Sequence, residues 1–186
     1  SIEVLVQDDG YNPARTLEQA RRLIEREEVL LLTGNVGTPT NSGIHRYMNQ
    51  REVPQLFITT GASKWDDPEN YPWTMPFLPR YAAESEIYAA YIAENLPNAR
   101  IGILFQNDDF GRDYRDALIA ALPDTVEIAA DVSYDVTSST IDSQISALRD
   151  SGADVFFNIA SPRFAAQAVR RVGEIGWEPT QILVNV

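Results

Sequence analysis

Along the chain, short continuous runs of apolar residues alternate with longer stretches in which apolar residues recur every three or four positions. The runs predict buried strands, and the spaced stretches predict amphipathic helices. Residues 2–7, IEVLVQ, predict a strand ending at the turn cluster Asp8-Asp9-Gly10, followed by a helix with Leu17, Ala20, Leu23 and Ile24 on one face. Residues 29–33, VLLLT, are apolar without alternation, as in a strand covered on both faces of a parallel sheet. A helix over 39–52 places Ile44, Tyr47 and Met48 on one side, and Pro54 stops it before a strand over 55–59. Residues 61–79 then break the rhythm with four prolines and two tryptophans, and read as a linker or a functional loop.

The alternation restarts with a helix over 80–96. Strands over 100–106, 125–133, 154–159 and 181–186 follow, separated by helices over 111–121, 139–150 and 162–175. Ser139 with Asp142 three residues on suggests a variant capping box. Such alternation predicts an α/β fold of parallel sheets built from right-handed βαβ units, in two Rossmann-like lobes spanning 1–79 and 80–186. Both sheets have strands without enough helices to cover them, so the chain is expected to be an incomplete fragment of a longer one.

Charge and composition narrow the partners. A formal charge of −12 argues against a nucleic-acid or anionic-membrane surface, either of which needs a basic footprint. With no cysteine and a single histidine, thiol catalysis, disulfides and Cys/His metal sites are excluded. No apolar run reaches the roughly 18 residues of a transmembrane helix, and the chain opens in a predicted strand rather than a signal peptide.

Candidate chemistry gathers in three loops after predicted strands, where open parallel sheets bind ligands. In Gly34-Asn35-Val36-Gly37-Thr38-Pro39, Thr38 suits the N-cap and Pro39 the first helical position, leaving unpaired backbone N–H groups that suit a carboxylate. Thr38 as a cap alone is the competing reading. The second loop, Thr60-Gly61-Ala62-Ser63, offers small residues that admit a ligand to the backbone, or a plain turn. The third, Asn107-Asp108-Asp109-Phe110-Gly111, offers an N-cap from Asp108 or Asp109 and an aromatic, Phe110, that serves as a ligand platform or as core. The P-loop pattern is missing, a calcium loop lacks its ligands, and His45, expected on an exposed helix face, has no Ser/Asp partners for a triad.

Asp8-Asp9 through Pro13, GNVGTPTN, VPQLFITTGAS, KWDDPENYPWTM, NDDFGRDY and Ser139-Thr140-Ile141-Asp142 with Ala153-Asp154-Val155 occur in one order along the chain. In that ordered set the chain resembles the type I periplasmic binding proteins of ABC transporters, in the branch of the leucine/isoleucine/valine-binding protein. The resemblance implies a non-catalytic, periplasmic or extracellular protein that closes two lobes on a small carboxylate, an amino acid or an apolar or aromatic acid, and delivers it to a membrane permease. It implies no cofactor and no metal. A ligand-binding sensor domain of the same fold is the alternative. By position, Val36, Gly37 and Thr38 would hold the ligand carboxylate, Ala62 and Ser63 would line the site, Phe110 would close over the ligand, and Ser161 would contribute from the loop after strand 154–159. The acidic partner of a ligand ammonium is expected at or beyond Val186.

Overall fold

A computed structural model describes residues 2–185. The chain divides into two compact units with the boundary between Arg80 and Tyr81. In the first, α1 (Pro13–Glu25) is followed by β1 (Leu32–Thr33), α2 (Thr38–Gln50), β2 (Gln55–Ile58), a single 3-10 turn (Ser63–Trp65) and β3 (Thr74–Pro76). The three strands form one parallel sheet in the order β1-β2-β3. Asn12 starts α1, accepting the amides of Ala14 and Arg15 at 3.0 and 3.2 Å, with Pro13 at the first helical position. The apolar faces of α1 and α2 enclose a core of Ala20, Leu23, Leu32, Ile44 and Met48.

The second unit contains α3 (Tyr81–Asn95), β4 (Arg100–Gln106), α4 (Asp109–Ala121), β5 (Glu127–Tyr134), α5 (Asp142–Asp150), β6 (Val155–Ile159), α6 (Pro162–Glu174) and β7 (Thr180–Leu183). Its parallel sheet has the order β5-β4-β6-β7. Every side chain of β6 is buried, as expected for a strand covered on both faces. Phe156 packs with Ile145, Leu148, Phe164 and Ala168 of α5 and α6, whereas the next residue, Phe157, meets Tyr88 of α3 edge-on at 5.4 Å. The chain leaves β4 toward β5 and returns across it to β6. The carboxyl ends of β4 and β6 therefore flank the reversal of strand order, where doubly wound sheets bind ligands.

Several sequence expectations change. Residues 2–7 form no strand: Ile2, Val4, Leu5 and Val6 are exposed, and no described strand lies beside them to complete a ladder. The strand expected over 29–33 shrinks to Leu32–Thr33, with Leu30 exposed. Within the proline-rich stretch, β3 pairs in parallel with β2, so part of it belongs to the sheet. The Ser139 capping box does not form; α5 begins at Asp142, whose amide donates to Thr140 Oγ1 at 3.2 Å.

Candidate functional site

In the first unit the loops after β1 and β2 are joined by their backbones. Thr59 N–H donates to Asn35 O at 2.8 Å and Gly37 N–H to Thr59 O at 3.1 Å, making an isolated parallel bridge between Val36 and Thr59. Asn41 of α2 locks the same loop from behind. Its amide nitrogen donates to Asn35 O at 3.0 Å and Gly37 O at 2.7 Å, and its oxygen accepts Gln55 Nε2 at 2.7 Å. Gly37 has φ +96°, and a Cβ there would lie 2.3 Å from Cε2 of Tyr11, so both backbone and space require glycine.

The N-cap is Gly37, and Thr38 is the first residue of α2, one position later than the sequence suggests. Gly37 supplies the non-helical conformation that a cap needs, so the Thr38 side chain is free of that role. Its hydroxyl pairs with Thr60 Oγ1 at 2.6 Å, and at 1% exposure Thr38 braces the first loop against the second. The amides of Thr38 and Thr40 lie in the first helical turn, where no intrahelical acceptor exists and the positive end of the helix dipole falls. Val36, 61% exposed, stands at the surface of this loop.

In the second loop Ala62 is buried and Ser63, which opens the 3-10 turn, is exposed. Thr60 Oγ1 accepts the amide of Ala62 at 3.4 Å and the indole N–H of Trp65 at 3.2 Å. Trp65 is buried and meets His45 edge-on at 4.8 Å; the other contact of the imidazole is a stack on Tyr71 at 3.9 Å. His45 is thus buried, at 6% exposure, where an exposed helix position was expected. The aromatic residues covering it come from the proline-rich stretch and leave no trace in the helical period. Burial, reinforced by the charge of Lys64, pushes His45 down to about 4, and its Nε2 has no hydrogen-bond partner among the described residues. The imidazole is thus held in an aromatic cluster with Trp65 and Tyr71.

Beside these loops lies an open cavity of about 450 Å³. Helix α2 contributes Ser42, His45 and Arg46 to it, and the second loop with its continuation contributes Ser63, Lys64, Asp67 and Tyr71. Lys64 Nζ donates to Ser42 Oγ at 3.1 Å. Two cations against one carboxylate make this a locally positive place on an acidic chain.

In the second unit Asp108 caps α4, accepting the amides of Phe110 and Gly111 at 3.0 and 3.3 Å. Gly111 allows the helix to start hard against β4, since a Cβ there would lie 2.0 Å from Gln106 O. Phe110 is 3% exposed and packs edge-on to Tyr81 and Tyr114 at 5.4 and 5.6 Å, so the structure places its ring in the core of this unit. Ser161 N–H donates to Tyr134 Oη at 3.0 Å, and Tyr134 O–H donates to Gln106 Oε1 at 2.9 Å. Gln106 Nε2 in turn reaches Asp108 Oδ2 at 2.6 Å. One polar chain thus ties together the carboxyl ends of β4, β5 and β6.

The structure therefore brings Val36, Gly37 and Thr38 together with Ala62 and Ser63 through Thr60, and in the second unit joins Ser161 to Tyr134. The sequence reading missed Thr60, Trp65 and Tyr134, because their role is set by partners distant in the chain.

A family model described as periplasmic binding protein matches residues 1–186. The chain belongs to that family. Solved structures share the type I fold of these periplasmic binding proteins. An extracellular ligand-binding receptor from Rhodopseudomonas palustris HaA2 aligns with TM-score 0.86 and 21% identity, over 95% of this chain and 49% of its own. A possible leucine/isoleucine/valine-binding protein from Rhodopirellula baltica SH 1 aligns with TM-score 0.83 and 25% identity, over 96% of this chain and 49% of its own. A solute-binding protein of an ABC transporter from Rhodopseudomonas palustris BisB5, in complex with 3,4-dihydroxybenzoic acid, aligns with TM-score 0.80 and 19% identity, over 97% and 50%. This periplasmic binding protein chain thus spans about half the length of the solved structures it matches. No curated protein sequence matches it. Among the described residues, no helix is long and apolar enough to cross a membrane.

Proposed function

We propose that this chain forms part of an extracytoplasmic solute-binding protein that captures a small carboxylate, an amino acid or an aromatic acid, for the permease of an ABC importer. The observation that carries the reading is the loop at the start of α2. It is pinned on one side by Asn41 and on the other by Thr59, with first-turn amides and a threonine hydroxyl at its tip. A rigid set of donors at a helix N-terminus favours an anion without reorganising to meet it. Val36, Gly37 and Thr38 hold the carboxylate, with Ala62 and Ser63 beside them. Phe110, the aromatic proposed to close over the ligand, packs in the second unit against Tyr81 and Tyr114.

The named ligands of the neighbours support both arms of the ligand class: branched-chain amino acids for one and 3,4-dihydroxybenzoate for another. The protein is a binder and not an enzyme on this reading, as the neighbours described as solute-binding or amino-acid-binding proteins suggest. A sensor role with the same binding chemistry is the second reading, favoured by the neighbour described as an extracellular ligand-binding receptor.

A thermal-shift panel of L-leucine, L-valine and 3,4-dihydroxybenzoate tests the proposal. A ligand at 100 times its dissociation constant stabilises the fold by about 2.7 kcal/mol. Stabilisation by at least one acid supports carboxylate capture. No stabilisation by any of the three, or turnover of one, overturns it.

A further inference from the structure

The open cavity beside the candidate carboxylate loop has two walls, both in the first unit. One is the face of α2 that carries Ser42 and Arg46, and the other is the stretch from Ser63 to Tyr71. The walls are fixed to each other. His45 of the first stacks on Tyr71 of the second at 3.9 Å, and Asn49 of α2 donates to Thr74 Oγ1 at 2.8 Å and accepts the amide of Trp73 at 3.0 Å. A site held in this way does not have to be ordered by what it binds.

Ser42 and Arg46, four residues apart, share one face of the helix, and their side chains lean toward its N-terminus, where the candidate carboxylate loop lies. Ser42 Oγ accepts Lys64 Nζ at 3.1 Å, which holds the ammonium at the cavity. Arg46 is exposed and makes no hydrogen bond or ion pair among the described residues. The carboxylate that lines the cavity, Asp67, is turned back on its own turn, where it accepts the backbone amide of Asn70 at 3.3 Å and its side-chain nitrogen at 2.8 and 3.1 Å. His45, pushed down to about 4 by burial, is neutral at pH 7 and adds no charge. A planar guanidinium beside an ammonium suits a carboxylate, which the guanidinium takes through two parallel N–H donors. Ser63 lines this cavity and also belongs to the loop proposed to lie beside the first carboxylate, so the two places are continuous.

We propose that this cavity is a second carboxylate subsite and that the ligand is a dicarboxylate, with one acid group at the start of α2 and the other on Arg46 and Lys64. The inference rests on the proposed function and narrows its ligand class. From Thr38 the helix rises about 6 Å to Ser42 and about 12 Å to Arg46, which sets the range of separation of the two acid groups. The field of the whole chain, with its formal charge of −12, opposes such a ligand, since a dianion is repelled about twice as strongly as a monoanion. A preference for the second charge therefore has to come from the cations of the cavity.

Calorimetric titration of the wild-type protein and Arg46→Gln tests this with two diacids, the rigid benzene-1,4-dicarboxylate and the longer, flexible octanedioate, each against its own monomethyl ester. The ester keeps the shape and removes one charge. At least one diacid is expected to bind wild type about tenfold more tightly than its ester, the scale of a hydrogen bond to a charged group. Arg46→Gln should abolish that preference and change binding of the ester by less than about twofold. Equal affinity of wild type for diacid and ester overturns the inference, as does a preference that survives Arg46→Gln, or a loss shared equally by diacid and ester. Lys64→Gln should lower the same preference and covers the case in which Arg46→Gln does not fold; a preference that survives it overturns the inference. Wild-type protein that binds L-leucine, L-valine or 3,4-dihydroxybenzoate but neither diacid overturns this inference alone. Wild-type protein that binds none of these acids overturns the carboxylate reading itself.

Discussion

Two residues of the first unit carry opposite lessons about single side chains. Thr38 was legible as a functional candidate because Thr-Pro after glycine marks a helix start, but its neighbour Gly37 takes the cap and leaves the hydroxyl to Thr60. Thr38→Ala is expected to weaken carboxylate binding by about 1 to 3 kcal/mol, the range for losing a hydrogen bond to a charged group; calorimetric titration checks it. Unchanged affinity with a lowered melting temperature would leave Thr38 as a brace only. His45 was read as exposed from its place in the middle of a helix, whereas its actual cover, Trp65 and Tyr71, arrives from twenty or more residues away. It is the one histidine of the chain, so its titration stands alone between the carboxylates and the amino groups. Its folded value, about 4, lies below the ordinary 6.5. The unfolded chain therefore takes up a proton first as the pH falls. The stability that His45 contributes when neutral is complete above 6.5 and is lost progressively toward 4, by about 2 kcal/mol at pH 5. Urea unfolding of wild type and His45→Phe at pH 7 and pH 5 measures this. The variant should lose about 2 kcal/mol less than wild type over that interval, and equal losses would mean that His45 is solvated in the fold.

Among the elements, long helices were readable and short strands were not. The stretches of α2, α3 and α6 each bury one side over two or more turns, so several positions agree on the same assignment. A strand, by contrast, exists only if another strand lies beside it, and an apolar run such as IEVLVQ looks the same with or without that partner. The converse error hid β3, where Thr74–Pro76 joins the sheet inside a stretch whose prolines speak for a loop. One polar residue in β6 departs from the pattern of its own strand. Asn158 is 1% exposed between β4 and β7, and neither atom of its amide has a hydrogen-bond partner among the described residues. An amide buried in this way costs about 1 to 3 kcal/mol. Asn158→Val, which suits a strand interior and adds little volume, is expected to stabilise the fold by about 1 to 2 kcal/mol in chemical denaturation. Destabilisation instead would show that the amide is satisfied in solution by an internal water.

Over the whole chain, the sequence shows two runs of the same βα rhythm on either side of the proline-rich stretch, and the structure divides into compact units between Arg80 and Tyr81. The ligand was not legible, since its class depends on donors assembled from separate loops and on a charge field that no local motif records. That field bears directly on which acid is bound. The chain carries a formal charge of −12, and a monoanion about 20 Å from the centre of that charge is repelled by roughly 2 kcal/mol in unscreened water. At ~10 mM salt the Debye length of ~30 Å leaves about half of the repulsion, whereas at ~150 mM, with ~8 Å, less than a tenth survives. Affinity for 3,4-dihydroxybenzoate is therefore expected to rise about fivefold between these two salt concentrations. L-Leucine, a zwitterion without net charge, should change by less than about twofold over the same range. Calorimetric titration of both ligands at the two salt concentrations reads the difference. An affinity for 3,4-dihydroxybenzoate that falls as salt rises would place the attraction of Arg46 and Lys64 at the cavity above the field of the whole chain. Capture would then rest on ion pairing there and not on the amides and hydroxyl at the start of α2.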